Sequence, residues 1–418
     1  MIQYNSFTLS NGLRVIHNYD PSTAMVAVDI LYNVGSRDES PALTGLAHLF
    51  EHLMFGGSVN IPDFDAEMER AGAVNNAWTS NDFTNFYSMA PATNLDTLLW
   101  LESDRMLSLA FSPESLEVQR SVVIEEFKQT HLNRPYGDTA HHLRSLLYTV
   151  HPYRIPTIGR EPAHIAAVTM DDVRSFFFNH YAPNNAVLAI SGNVTLERAR
   201  ESVERWMGDI PVRDIAPRTY PAEPEITAPR SLTVHGEVPH PVVTVAFPMP
   251  GYGERGYEEC DLITDILSSG RASRFYRRLT MASPLFAEAD ASIAGSEEPG
   301  FLMLKGALND ASPEAVAMAR EMLISQAMEL CRPASASAPD GVSETEVSRA
   351  VNRYLTGNSF EALSCLRRAQ ALAMAGMHSE DINDIPRRYR AMTPESIAAT
   401  ATAVIDPSRA CTLNYLPA

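Results

Sequence analysis

Apolar and polar positions alternate from the start of the chain. Phe7-Thr8-Leu9, the turn Ser10-Asn11-Gly12 and Leu13-Arg14-Val15-Ile16 predict strand, turn and strand, and the run from Met25 to Asn33 predicts a third, longer strand. The spacing then becomes helical at Leu46, Leu49, Phe50 and Leu53, with Gly56-Gly57-Ser58 as the stop. Residues 75 to 90 return to strand alternation in two pieces, and a helix follows from about Asn94 to Met106. Ser112-Pro113-Glu114 places an N-cap, a proline in the first helical position and a first-turn acid ahead of an amphipathic run that reaches Gln129.

The second half has a related layout. Thr169-Met170-Asp171-Asp172-Val173 opens a helix leading to Tyr181-Ala182-Pro183 and a strand from Ala186; Thr393-Pro394-Glu395-Ser396-Ile397 leads likewise to Ile405-Asp406-Pro407 and a strand from Ala410. Both pairs are separated by one offset, 393 − 169 = 224 and 407 − 183 = 224. A duplicated α+β domain is the simplest reading. Residues 211–229 hold Pro217, Pro221 and Pro224 and break every periodic pattern, so the expected division is a first domain at 1–210, a linker at 211–229 and a second domain at 230–418. The Pro333 to Gly341 stretch reads as a surface loop between helices.

At 418 residues the chain is too long for one core, which agrees with two domains. The formal charge of −18 argues against a nucleic-acid surface or a polybasic membrane anchor. No apolar run approaches the roughly 18 residues of a membrane span, and the first residues lack a basic segment leading into an apolar one. A cytoplasmic bacterial protein is the expectation, or a periplasmic one if the sequence is a mature form. Cys260, Cys331, Cys365 and Cys411 have no paired spacing and read as reduced structural thiols.

Candidate chemistry concentrates in His48-Leu49-Phe50-Glu51-His52. Positions i and i+4 stack on one helix face, so His48 and His52 can present two imidazoles to one ion, with Glu51 beside them. This H-x-x-E-H order is the inverted zinc signature. A catalytic zinc keeps three protein ligands and one water, and Glu51 would be placed to take a proton from that water. The bland alternative, a surface helix with solvated histidines, fits poorly with the apolar residues around the motif, because two buried imidazoles and a carboxylate need partners. A third ligand is required, and Glu125 and Glu126 on the Ser112-capped helix are both candidates. Adjacent helical positions point about 100° apart, and periodicity does not choose between them. His17, His141, His142 and His240 read as structural.

His48 to His52 with Leu53-Met54-Phe55-Gly56-Gly57, then Asn76-Ala77-Trp78-Thr79-Ser80 with Asp82, Thr84 and Tyr87, and finally Arg120-Ser121-Val122-Val123-Ile124-Glu125-Glu126 resemble the pitrilysin/insulinase family of zinc peptidases. The likeness is strongest to the short bacterial members related to mitochondrial processing peptidase. It implies two homologous α+β domains, each a mainly antiparallel sheet covered by helices, with the metal site in the first only. It implies one zinc held by His48, His52 and Glu126, with Glu51 as general base of a metalloendopeptidase. Gln119 stands where the family usually carries a further acid that orients the site. Asn76, Ala77, Trp78 and Thr79 match the edge strand on which the family pairs its peptide.

One part of the pattern is missing. Active members carry an Arg and a Tyr seven positions apart in the second half; here the pattern around Ser269-Gly270-Arg271 places Thr280 and Ala287 at those positions. Arg274 and Tyr276 match a different, structural part. Loss of an oxyanion donor typically costs about 10²–10³ in rate. The implication is a heterodimer in which a homologous, metal-free subunit supplies the Arg/Tyr pair, with a homodimer as the alternative. Expected partners are therefore peptide substrates and a sister subunit, with neither nucleic acid nor membrane. A non-catalytic scaffold or a peptide-binding subunit is the competing function.

Overall fold

The computed structural model describes residues 1–418 and resolves into two compact units, each an α+β body built on one sheet. The first comprises Met1–Lys128, Ile155–Tyr220 and Gly357–Ile385. Its strands are β1 (Asn5–Thr8), β2 (Arg14–Tyr19), β3 (Met25–Tyr32), β4 (Val74–Thr79), β5 (Thr84–Pro91) and β6 (Ala186–Gly192), in the order β1-β2-β6-β3-β5-β4. Every pairing is antiparallel except β2 with β6. Helices Leu46–Leu53, Leu95–Leu107, Pro113–Phe127, Met170–His180 and Leu196–Met207 bury their apolar stripes against one face. Cys365–His378 covers the other, packing on Ile16, Ala27, Leu31 and Val187 through Ala369, Leu372 and Ala373.

The second unit comprises Gln129–Arg154, Pro221–Thr356 and Pro386–Ala418. Its strands β7 (Arg230–Gly236), β8 (Val242–Pro248), β9 (Phe286–Ala294), β10 (Phe301–Leu308) and β11 (Cys411–Pro417) run in the order β7-β11-β8-β10-β9. With β1 set aside this reproduces the first sheet strand for strand, down to the single parallel pair, here β7 with β11. The local chemistry repeats as well. Thr169 and Thr393 each close a capping box and accept from the third backbone N–H of their helices. Gly45 and Gly256, at φ 90° and 102°, each turn the chain into the helix that follows the equivalent strands β3 and β8, a conformation that a side chain would strain.

The units interleave along the chain instead of parting at a single cut within 211–229. Thr139–Leu147, from the first half of the sequence, packs with Leu143 and Leu147 on the second sheet, and Cys365–His378, from the second half, packs on the first. The 211–229 stretch itself has no helix or strand. The Pro333 to Gly341 loop is tied down by buried Arg274, which donates to the carbonyls of Asp340 and Gly341 and pairs with Glu346 and Glu329. All four cysteines are free thiols, Cys260, Cys365 and Cys411 being buried. No helix is long and apolar enough to cross a membrane.

Candidate metal centre

The Leu46–Leu53 helix is fixed at both ends. Gly45 has no side chain to cap it, and the Glu39 carboxylate takes over, accepting from Gly45 N and Ala47 N at 2.8 Å each. Beyond its C-terminus, Phe55 packs with Phe64 and Phe86 around the Arg105 guanidinium, which lies 4.3 Å from the Phe86 ring centroid and 4.6 Å from that of Phe64. Glu102 neutralises Arg105 through a buried fork of hydrogen bonds at 2.5 to 2.9 Å. Leu46, Ala47, Leu49, Phe50 and Leu53 are buried, leaving His48, Glu51 and His52 on the remaining face.

That face meets the Pro113–Phe127 helix, whose Ser112 cap accepts from Ser115 N. His48 Nε2 and His52 Nε2 lie 3.7 and 3.5 Å from Glu126 Oε2. The ligating atoms of His48, His52 and Glu126 all fall within 4.8 Å of one another, and no other group of three or more His, Cys, Asp or Glu side chains in the chain gathers in this way. Tetrahedral ligands about 2.0–2.1 Å from a zinc ion stand roughly 3.3 Å apart, so this donor set fits the ion with little movement. The side chains are 14%, 26% and 39% exposed for His48, His52 and Glu126, so the cluster opens to solvent on one side. Glu125, the other candidate, turns away, 3.4 Å from Lys128 Nζ and more than half exposed.

Gln119 lies two turns before Glu126 on the same helix, close enough to His52 to act on its imidazole. The Glu126 carboxylate raises the His52 imidazole above its ordinary value, with Gln119 adding to the effect against desolvation. Glu51 is pushed up by burial, opposed by a hydrogen bond that its Oε2 accepts from the Thr79 hydroxyl.

Thr79 ends β4, which forms the outer edge of the sheet and packs against the motif helix. Asn76, Ala77, Trp78 and Thr79 therefore do lie on an edge strand beside the cluster. Ala77 packs against the main core on the motif-helix side, and Trp78 points to the opposite face among Ala27, Leu31 and the Cys365–His378 helix. The edge is fixed at its end by the buried Arg37–Asp82 ion pair at 2.8 Å and by backbone bonds from Ser36 N to Ser80 O and from Arg37 N to Asn81 O. The Glu39 cap and the Thr79–Glu51 bond had no counterpart in the sequence reading. Their only signal was an acid and a threonine near the motif, with nothing local to aim them.

The corresponding helix of the second unit, Tyr257–Ser268, also follows a left-handed glycine, yet carries Glu259, Leu262 and Ile263 where the first carries His48, Glu51 and His52. Thr280 closes the π-turn Tyr276–Thr280, and Ala287 is an exposed residue of β9.

Two family profiles match the chain. The family profile described as insulinase (peptidase family M16) matches residues 14–159, and that described as the peptidase M16 inactive domain matches residues 167–354. A Helicobacter pylori protein named zinc protease PqqE is 29% identical over 321 residues, covering 75% of this chain and 72% of the relative. The β subunit of the mitochondrial-processing peptidase of Saccharomyces cerevisiae is 27% identical over 206 residues, covering 49% of this chain and 46% of its own. The crystal structure of a protease from Helicobacter pylori superposes with a TM-score of 0.91 at 23% identity, covering both chains completely, a likeness of fold.

Proposed function

The chain belongs to the insulinase (M16) family of peptidases, and from that premise we propose that it is a zinc-dependent endopeptidase subunit acting on peptides or unfolded segments. The observation that carries this reading is the convergence of His48, His52 and Glu126 from two helices, with Glu51 alongside. When bound, zinc would supply a Lewis acid for the scissile carbonyl and lower the pKa of a water in the remaining coordination position. The other steps fall to side chains and backbone of the chain. The open edge of β4 pairs with an extended peptide through main-chain hydrogen bonds, which give affinity with little dependence on sequence. Glu51 takes a proton from the attacking water and returns it to the leaving amine.

Thr280 and Ala287 offer no guanidinium or phenol, which favours completion by a homologous subunit that does. A pure scaffold gives no reason for the metal-type cluster to be intact. Glu51→Gln tests the reading: the variant should keep zinc and peptide affinity while kcat falls by about 10²–10⁴. Unchanged cleavage, or no zinc in the wild-type protein, would overturn it.

A further inference from the structure

Thr79 sits where two requirements meet. Ser80 N bonds to Phe83 O at the turn, so by the alternation of an antiparallel ladder Trp78 and Asn76 use their main-chain groups on β5, while Ala77 and Thr79 direct theirs to the open edge. Ala77 N confirms the direction, since it donates at 2.8 Å to the Oδ1 of its own neighbour Asn76 and not to β5. The Thr79 side chain leaves the strand toward the motif helix and donates its hydroxyl hydrogen to Glu51 Oε2.

We propose that Thr79 is a positioning residue, its hydroxyl holding the Glu51 carboxylate in line with the reacting atoms while its main chain forms part of the edge that receives the peptide. This rests on the peptidase reading given above. A free glutamate side chain on a helix face has several rotamers of similar energy, and a base that must meet a water within hydrogen-bond reach gains from having one selected. Strand β4 is a suitable support because the turn directly after Thr79 is clamped by Arg37 and Asp82. A peptide that pairs along β4 and the base that acts on it are then held by one rigid element.

The test is Thr79→Val, which keeps shape and branching and deletes the donor, beside Thr79→Ser, which keeps the donor. Both are made in the enzyme as isolated with any homologous subunit that accompanies it. Cleavage of a quenched fluorescent peptide gives kcat and KM, metal analysis gives zinc content, and fluorescence polarisation of the same peptide on chelator-treated protein gives a Kd independent of turnover. We expect Thr79→Val to lower kcat about tenfold or more, with KM, Kd and zinc content unchanged, and Thr79→Ser to recover most of the loss. Wild-type kcat in Thr79→Val, a loss carried by KM and Kd, or no recovery in Thr79→Ser would overturn the assignment. A wild-type enzyme that binds zinc but cleaves nothing would instead remove the parent reading.

Discussion

Asp29 shows how far a single buried carboxyl can depart from its usual behaviour. It lies in β3 with no solvent exposure, receives one hydrogen bond from Asn85 Nδ2 at 2.9 Å, and leaves Oδ1 without a partner. Burial, opposed by Asn85 and reinforced by the charge of Glu102, pushes it up to about 8. The folded chain then holds a proton there that the unfolded chain, with an ordinary value of 3.8, releases. The contribution to stability is present in full below the unfolded pKa and is lost as pH rises through the folded one. Asp29→Asn should therefore gain in Tm relative to wild type between pH 5 and pH 8.5, measured by circular dichroism; a constant offset would refute the assignment. The metal site was legible at this scale where its geometry is local. His48, Glu51 and His52 are fixed by helical spacing alone, whereas spacing leaves Glu125 and Glu126 open; the family resemblance points to Glu126, and the docked Pro113–Phe127 helix turns it toward the imidazoles and Glu125 toward Lys128. Glu39 and Thr79 reach the motif through backbone turns and strand packing, for which the sequence carries no periodic trace.

At the scale of elements, the open edge of β4 makes a separate prediction. Because Ala77 N takes no part in the β5 ladder and meets only the exposed Oδ1 of its neighbour Asn76, Ala77→Pro removes an N–H available to an incoming strand, at a position where proline costs the sheet little. One backbone hydrogen bond is worth about 1 kcal/mol, so KM for an extended peptide should rise about fivefold, with kcat and the unfolding midpoint close to wild type. A variant with unchanged KM would place the peptide elsewhere. Strand and helix positions were readable because alternation and caps are written within a few residues, as in Thr169 and Thr393. The exchange of Thr139–Leu147 and Cys365–His378 between the two sheets was not readable. An amphipathic helix announces which of its faces is apolar, and either sheet offers a comparable apolar surface to receive it.

The duplication matters most for the molecule as a whole. Two units share one strand order and one way of entering the helix that follows β3 and β8, yet only the first carries two histidines and a glutamate on it; the second places Glu259, Leu262 and Ile263 at those positions and Thr280 and Ala287 where oxyanion donors are expected. A chain so divided should be a weak peptidase by itself. Missing donors of this kind reduce rate by about 10²–10³, so the purified chain should show roughly that deficit in kcat relative to the complex with a homologous Arg/Tyr-bearing subunit, while binding the same single zinc. Mixing the two purified subunits should restore the rate in proportion to heterodimer formed, followed by size-exclusion chromatography and turnover on one peptide. The same complex assembled with Glu51→Gln should stay inactive, because the sister subunit would have no base to lend. Full activity of the isolated chain, or rescue of Glu51→Gln by the sister subunit, would show that catalysis does not divide between the two chains in this way.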